Sequence, residues 1–309
     1  MLPLPPFDLE RPTTVEQVLP LLSGDARVLA GGTDLLPSMK QGLLEPARLV
    51  SLGRVAELQT IEDRGDTLVI GAGVRLRALV EHDSTPPALR AACRSVGTST
   101  IQRMGTIGGN LMLDTRCRFY NQSRFWRGAL GGTEDGCLKC DEDGICHVAR
   151  GGTGCYAAHS ADTAPVLHVL GAEVELASTR GARRVLVSEL YGEDGRSWIN
   201  KESDELLTRI FVPLGTPAAF RKLRARQAID YALLLTAVSD TTIVISAVGP
   251  RPIEVPAPWQ AFSERRVDEL AEAAYRYVQP LSTHTWPATW RKKMVRVEVR
   301  RALRALWAP

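Results

Sequence analysis

The 309-residue sequence has no apolar run that approaches the length of a membrane-spanning helix. Its first residues, MLPLPPFDLERP, have no cationic segment, no apolar core and no cleavage site of a secretory signal. The net charge of +3 is too small to indicate nucleic-acid binding by itself. We therefore expect a cytoplasmic protein that binds neither a membrane nor nucleic acid.

Two common kinds of catalytic or cofactor signature are also absent. The five histidines are scattered, and none stands in a pattern with serine and aspartate that would predict a nucleophilic triad. No Rossmann fingerprint is present, because Gly71-Ala72-Gly73 lacks the third glycine of the GxGxxG order. The sequence has no internal repeat. We predict no catalytic residue that activates a substrate in this chain.

Cysteine is scarce except in one stretch of 39 residues, which also contains eight glycines. Five of the six cysteines lie there, namely Cys117, Cys137, Cys140, Cys146 and Cys155. Such glycine-rich backbone is typical of an irregular loop, and thiolate ligands on a metal centre would explain how a long loop becomes ordered. Structural disulfides are disfavoured because they require an oxidising compartment. The remaining cysteine, Cys93, lies in an apolar helical stretch and is predicted to be a small core residue.

The spacing of the five clustered cysteines does not decide which metal they would bind. Structural zinc sites usually have two close ligand pairs, whereas only Cys137 and Cys140 have the CxxC spacing here. The other gaps are wide and uneven, which a cubane iron-sulfur cluster accepts. Spacing alone leaves zinc and iron-sulfur both open.

The apolar pattern predicts an α+β fold. Capping-box signals at Thr13 and Thr14 predict a helix that runs toward Leu22. Further helices are predicted at residues 76–81, 88–96, 266–278 and 289–306. Strands are predicted at residues 28–30, 49–50, 67–74, 220–224 and 241–248.

Three other segments predict local organisation. AEVELAS and ARRVLVSEL alternate as strands do and predict an antiparallel hairpin. The turn formers of residues 213–217 predict a linker. The final helix carries seven basic side chains, which predict a solvated face or a docking surface for an acidic partner.

Two glycine motifs offer backbone to a phosphate group. Ala30-Gly31-Gly32-Thr33-Asp34 follows a predicted strand and precedes a probable helix, so its amides can converge on a phosphate. Thr106-Ile107-Gly108-Gly109-Asn110 offers a hydroxyl, bare backbone and an amide side chain. Either motif alone is compatible with an ordinary tight turn. Together they indicate two loops around one diphosphate cofactor.

These motifs resemble those of the FAD-binding subunits of molybdenum hydroxylases, the group that contains xanthine dehydrogenase and carbon monoxide dehydrogenase. The matching segments are AGGTDLL, GTIGGNL, Ser160-Ala161-Asp162 and Phe220-Arg221-Lys222. The resemblance covers almost the whole chain. It implies a two-lobed FAD-binding domain of the PCMH (vanillyl-alcohol-oxidase-like) type at residues 1–214, with lobes at about 1–58 and 59–214. It also implies a small α+β domain at residues 215–309, similar to the C-terminal flavoprotein domain of that family.

The cysteines lie where this sequence is longer than most members of the family. Some fifty residues separate Asn110 from Asp162. From the segment Leu-Asp-Thr-Arg before Cys117, this insertion at about residues 114–158 resembles the medium subunits of 4-hydroxybenzoyl-CoA reductases, which hold FAD and a 4Fe-4S cluster. The resemblance favours iron-sulfur over zinc.

The same resemblance implies the cluster ligands Cys117, Cys137, Cys146 and Cys155. Cys137 is preferred to Cys140 because its segment, Cys-Leu-Lys, looks like the Cys-Met-Lys segment of the family. Cys140 is then a spare thiol near the cluster. His147 is expected to donate to a cluster sulfur and not to be a ligand.

For FAD, the resemblance implies contacts from two loops and two single residues. The adenine and pyrophosphate portion would lie on Leu29, Ala30, Gly31, Gly32, Thr33 and Asp34. The other side of the pyrophosphate would be covered by Thr106, Ile107, Gly108, Gly109 and Asn110. Asp162 would accept from ribityl or ribose hydroxyls, and Lys222 would lie near the isoalloxazine ring. The alternatives are a helix N-cap role for Asp162 and an ordinary exposed base for Lys222.

The resemblance also implies a subunit that relays electrons. Substrate chemistry would occur at a molybdenum cofactor in a large subunit, with a small subunit carrying two 2Fe-2S clusters in between, in a dimer of heterotrimers. In a 4-hydroxybenzoyl-CoA reductase, electrons from reduced ferredoxin would pass through the 4Fe-4S cluster and FAD to molybdenum, where the phenolic hydroxyl is removed. One alternative is the FAD subunit of a molybdenum hydroxylase that acts on another aromatic or heterocyclic substrate. Another is a zinc-stabilised nucleotide-binding module.

Overall fold

A computed structural model describes residues 3–130, 136–141, 143–149, 151–256 and 263–307. Gly131 and Gly132 of the cysteine-rich stretch lie outside the described residues. The fold is a mixed α/β arrangement with three sheets, and each sheet takes its strands from one continuous part of the chain. Among the described residues, none of the helices is long and apolar enough to cross a membrane.

The first sheet is parallel and has three strands. They are β1 (Asp8–Glu10), β2 (Ala26–Leu29) and β3 (Arg48–Ser51), with β3 in the centre. The helices of this part are α1 (Val15–Val18), followed by a short 3-10 helix (Leu19–Leu21), and α2 (Leu35–Lys40). The predicted capping box is confirmed, because the Thr14 hydroxyl accepts from the Gln17 amide and the Gln17 side chain accepts from the Thr13 amide. The helix is shorter than predicted, since Pro20 lies in the 3-10 turn that follows it.

The second sheet is antiparallel, with strands in the order β4-β5-β8-β6-β7. Its strands are β4 (Ile61–Asp63), β5 (Thr67–Gly71), β6 (Glu173–Ser178), β7 (Gly181–Leu186) and β8 (Leu206–Pro213). The helices between β5 and β6 are α3 (Leu76–Glu81), α4 (Pro87–Ser95), α5 (Ser99–Met104), α6 (Ile107–Leu111), α7 (Arg124–Ala129) and α8 (Ala164–Val169). The predicted hairpin is confirmed as β6 and β7. Cys93 is fully buried in the core beneath this sheet, as predicted.

The third sheet is also antiparallel and packs against two long helices. Its strands, in the order β12-β11-β10-β9, are β9 (Ala218–Leu223), β10 (Leu234–Ser239), β11 (Ile243–Ser246) and β12 (Ile253–Glu254). The helices are α9 (Glu264–Tyr277) and α10 (Ala288–Trp307). Residues 214–217 connect β8 to β9, where the linker is predicted. Strand β10 is not predicted, because all of its residues are buried and its sequence has no period-two alternation.

The basic side chains of α10 are largely used within the chain. Arg296, Arg300 and Arg304 pair with the carboxylates of α9 at 2.8, 2.6 and 2.8 Å. Arg291 is buried and donates to the backbone carbonyls of Leu233 and Leu281, both at 2.9 Å. The prediction of a solvated face is therefore wrong for Arg291, whereas Arg296, Arg300 and Arg304 keep side-chain exposures of 35%, 35% and 53% while they pair with α9.

Candidate flavin site and cysteine loop

The structure brings the two glycine motifs into contact. We name residues 29–34 the first glycine loop and residues 106–110 the second glycine loop. A Cβ atom at Gly31 would overlap the backbone carbonyl of Met104, two residues before the second loop. A Cβ atom at Gly109 would lie 3.9 Å from the Cβ of Ala30. Only glycine permits this close approach of the two backbones at Gly31.

Backbone donors of the first glycine loop remain available. Gly32 has a φ of +68°, a left-handed conformation that favours glycine. In the part of the chain that the structure describes, no protein group accepts a hydrogen bond from the N–H groups of Gly31, Gly32, Thr33 or Asp34. Unpaired backbone donors on consecutive residues suit an anionic ligand such as a diphosphate.

The second glycine loop is built differently. It begins α6, and the hydroxyl of Thr106 caps this helix by accepting from the Gly109 amide at 3.0 Å. The amides of Ile107 and Gly108 donate to Val74 and Ala72, each at 2.9 Å. The bare backbone that this motif predicts is therefore used within the protein. What the loop offers to a ligand is its small side chains and the polar groups of Thr106 and Asn110.

Asp162 and Lys222 form a buried ion pair beside these loops. Lys222 Nζ lies 2.7 Å from Asp162 Oδ1, and the two side chains are 5% and 7% exposed. The neighbouring Thr163 donates to Asn110 Oδ1 of the second loop from its amide and its hydroxyl, at 3.1 and 2.7 Å. Burial raises the pKa of Asp162, and the ammonium of Lys222 opposes that shift. The pair joins β9 to the segment that leads into α8.

The two alternative roles considered for this pair, a helix N-cap for Asp162 and an exposed base for Lys222, are wrong. Helix α8 begins at Ala164 with Thr163 in the N-cap position, so Asp162 is not the cap. Lys222 is almost fully buried, and its Nζ also donates to the carbonyl of Ser95 at 3.2 Å. It is therefore not one more exposed base.

A second charged cluster links the first glycine loop to the start of the cysteine loop, the name used below for residues 114–158. The guanidinium of Arg116 forms an ion pair with Asp34 and lies 4.1 Å from the ring centroid of Tyr231. The Tyr231 hydroxyl donates to Asp34 Oδ1 at 3.1 Å. Burial raises the pKa of Tyr231, while the charge of Arg116 lowers it. Sequence reasoning missed this cluster, whose members are far apart along the chain.

The cysteine loop places its thiols close to one another. Cys117, Cys137 and Cys155 are buried in one small cluster with Tyr120 and Ala157. Cys146 is half-buried and Cys140 is exposed. All six cysteines are free thiols. The chain thus offers three buried sulfurs and two less buried ones in a single loop.

The environments of these thiols differ. Burial raises the pKa of Cys117, and the nearby sulfurs of Cys137 and Cys146 raise it further. Burial also raises the pKa of Cys155 to about 12. A hydrogen bond with the Cys140 thiol lowers the pKa of Cys137 to about 6. The Cys137 and Cys140 thiols are hydrogen-bonded to each other, and the choice between them as the third cluster ligand stays a prediction.

The described part of the loop does not form a site for a single metal ion. Among the described residues, no three His, Cys, Asp or Glu side chains converge as such a site requires. A cubane cluster attaches each thiolate to a different iron atom, so its ligands need not meet at one point. His147 packs on Phe119 with ring centroids 5.2 Å apart, and its Nε2 contacts the carbonyl of Gly136. Its predicted bond to a cluster sulfur stays a prediction.

Comparison with known proteins shows which protein family the chain belongs to. Residues 5–215 match the family described as FAD binding domain in molybdopterin dehydrogenase. The chain therefore belongs to the family of FAD-binding medium subunits of molybdenum hydroxylases, and its cofactor is FAD.

Individual relatives extend the match over the whole chain. The carbon monoxide dehydrogenase medium chain of Afipia carboxidovorans is 29% identical over 96% of this chain and 95% of its own length. The nicotine 6-hydroxylase medium subunit of Paenarthrobacter nicotinovorans is 24% identical over 97% of each chain. A solved carbon monoxide dehydrogenase from Hydrogenophaga pseudoflava, which lacks the Mo-pyranopterin moiety, superposes with a TM-score of 0.78 at 25% identity, covering 100% of this chain and 99% of that one.

Proposed function

We propose that this chain is an electron-relay subunit that holds FAD between its two glycine loops and a 4Fe-4S cluster in its cysteine loop. The placement of FAD rests on two properties of the first glycine loop. Its consecutive amides lack protein acceptors among the described residues, and Gly31 has no room for a side chain. A diphosphate is a ligand that needs both features.

The chain's own residues would hold the cofactor as follows. Amides of residues 31–34 would donate to the diphosphate, and Thr106 and Asn110 would cover it from the other side. Arg116 would balance the charge of Asp34, which would otherwise repel the phosphates. The pair of Asp162 and Lys222 would place a buried carboxylate and a buried cation toward the ribityl and ring portions. When bound, FAD supplies the conversion between one-electron and two-electron transfer.

The proposed cluster is supported by the packing of the cysteine loop. Cys117, Cys137 and Cys155 are buried together, and Cys146 lies within electrostatic reach of Cys117. Four thiolates from one loop are the ligand set of a 4Fe-4S cluster, which transfers single electrons. The zinc alternative would need a tighter convergence on one ion than the described residues offer. The classification of residues 114–158 as an insertion into a vanillyl-alcohol-oxidase-like domain stays part of this proposal.

The partners are proposed from the relatives, which are named as medium chains or subunits. We infer a large subunit with the molybdenum cofactor and a small subunit with two 2Fe-2S clusters, assembled as a dimer of heterotrimers in the cytoplasm. The relatives named for carbon monoxide and for nicotine favour the broad proposal, a molybdenum hydroxylase or dehydrogenase of undefined substrate. The cysteine loop favours a second candidate, a 4-hydroxybenzoyl-CoA reductase that takes electrons from ferredoxin. Anaerobic co-purification with the neighbouring subunits, followed by turnover assays with 4-hydroxybenzoyl-CoA, separates the two.

The flavin placement is tested by a matched pair of glycine variants. Gly32 and Gly24 have φ angles of +68° and +63°, so valine strains the backbone similarly at both. Gly24 has no atom near its Cβ position, whereas Gly32 belongs to the first glycine loop. Gly32→Val should reduce the FAD content per chain at least tenfold, while Gly24→Val should retain it. Full FAD content in a folded Gly32→Val protein would show that FAD binds elsewhere.

A further inference from the structure

Lys139 is a buried cation inside the cysteine loop, between Cys137 and Cys140. Its side chain is only 6% exposed. Burying an ammonium group is costly unless acceptors replace the lost water. A lysine in this position therefore requires a specific set of partners.

The structure supplies three acceptors for the three N–H groups of this ammonium. Lys139 Nζ donates to Asp114 Oδ1 at 2.9 Å, to Thr115 Oγ1 at 2.8 Å and to the carbonyl of Gly195 at 2.5 Å. Thr115 is fully buried, and its hydroxyl donates to the same carbonyl at 2.7 Å. The ammonium also lies 5.0 Å from the ring centroid of Tyr120.

Each segment that Lys139 joins carries a cysteine or is hydrogen-bonded to one. Thr115 lies two residues before Cys117, and Lys139 itself lies two residues after Cys137. The amide of Gly195 donates to the carbonyl of Cys155 at 2.7 Å, and Asp194 Oδ2 accepts from the Cys155 amide at 3.1 Å. A single side chain thus connects the backbone segments of three thiols that are distant along the chain.

Gly195 shows how tightly this connection is packed. A Cβ atom there would lie 2.9 Å from the sulfur of Cys155. Gly195, whose carbonyl accepts a hydrogen bond from Lys139, therefore packs directly against the sulfur of Cys155.

We infer that Lys139 is the positioning residue of the cysteine loop. It fixes the segments of Cys117, Cys137 and Cys155 relative to one another and sets one positive charge beside the cluster. The inference rests on the proposed 4Fe-4S cluster. Cluster and four thiolates together are anionic, so a nearby cation favours the reduced state and a nearby carboxylate disfavours it. Lys139 and Asp114 should therefore shift the reduction potential in opposite directions.

The test compares four variants of the anaerobically purified assembly with the wild type. Lys139→Met keeps the length of the side chain and removes its charge and donors. Asp114→Asn keeps an oxygen acceptor and removes the negative charge. Lys201→Met is the matched control, because Lys201 is also largely covered and donates to the carbonyls of Glu202 and Glu205, outside the cysteine loop. Cys93→Ser controls for a thiol outside that loop.

Iron, sulfide and FAD per chain, the rate of cluster loss to a chelator and the cluster midpoint potential are measured. Lys139→Met should lose its cluster at least tenfold faster than wild type and keep its FAD. Its remaining cluster should have a lower potential, by about 59 mV if the one-electron equilibrium changes tenfold. Asp114→Asn should raise the potential, and the two control variants should leave both quantities unchanged.

The possible failures are distinguishable. A wild type that contains zinc and no sulfide overturns the proposed cluster, and the role of Lys139 with it. A wild-type cluster with unchanged loss rate and potential in Lys139→Met overturns only the role of Lys139. If Lys139→Met does not fold, as judged by lost FAD, the Asp114→Asn potential decides: a rise supports the inference and no change overturns it.

Discussion

Replacing Lys222 by methionine should lower the free energy of unfolding by about 3–5 kcal/mol, because it leaves the carboxylate of Asp162 buried without its cation. Lys222 Nζ and Asp162 Oδ1 are 2.7 Å apart, with side-chain exposures of 5% and 7%. After the change, the side-chain donor left to this oxygen among the described residues is Ser95 Oγ at 3.3 Å, and that hydroxyl lies closer to the carbonyl of Ala92, at 2.7 Å. For comparison, an exposed pair contributes about 0–1 kcal/mol.

The loss should depend on pH in a defined direction. Burial already raises the pKa of Asp162 above its ordinary value of 3.8, and Lys222 opposes that shift. Without Lys222 the pKa in the folded state rises further above that of the unfolded state. A group with a raised folded pKa contributes its stability below the unfolded pKa and loses it as pH rises through the folded pKa. Lys222→Met should therefore lose stability relative to wild type as pH rises above the wild-type folded-state pKa of Asp162, which itself lies above 3.8, by about 1.4 kcal/mol for each pH unit by which the substitution raises that pKa further.

Urea denaturation of the flavin-free protein at several pH values measures both effects. Asp162→Asn combined with Lys222→Met should recover most of the loss, since no charge is then left buried. Arg304→Met serves as the control, because Arg304 and Glu264 form an exposed pair at 2.8 Å. The reasoning is refuted if Lys222→Met costs no more than Arg304→Met, or if the double variant is no more stable than Lys222→Met alone.

Three further predictions concern the cofactor sites. Cys140→Ser should retain iron and sulfide while Cys137→Ser loses them, and the reverse result would contradict the choice of Cys137 as ligand. Thr106→Ala should cost about 1 kcal/mol in urea denaturation through the lost N-cap of α6, and an unchanged midpoint would show that the cap contributes nothing. Arg116→Met should weaken FAD binding in flavin-retention measurements, because the carboxylate of Asp34 is then uncompensated; equal retention would rule out that role for Arg116.

Local signals predicted much of this molecule. The capping box at Thr13 and Thr14, the hairpin of β6 and β7, and the linker after Pro213 depend on residues that are neighbours in sequence. Their turn and capping chemistry is visible without knowledge of the fold. The same holds for the first glycine loop, whose backbone geometry requires glycine at Gly31 and Gly32.

The charged contacts of the site could not be predicted in this way. Asp162 and Lys222 are sixty residues apart in sequence, and Tyr231 reaches Asp34 across most of the chain. The first pair forms because the third sheet packs against helices α4 and α8, and the second because the segment before β10 reaches the first glycine loop; no local pattern reveals either contact. The ion pairs between α9 and α10 did leave a signal in the sequence. The acidic residues of α9 and the basic residues of α10 both recur every four positions, which predicts matching helix faces.

The proposed 4Fe-4S cluster in the cysteine loop distinguishes this flavin subunit from one that holds FAD alone. Chemical analysis of the anaerobically purified wild-type protein for iron, zinc, acid-labile sulfide and FAD tests it most directly. We expect one FAD with about four iron atoms and about four sulfides for each copy of this chain, after subtraction of the small subunit's clusters. Zinc in place of iron, or FAD with no acid-labile sulfide assignable to this chain, would contradict it.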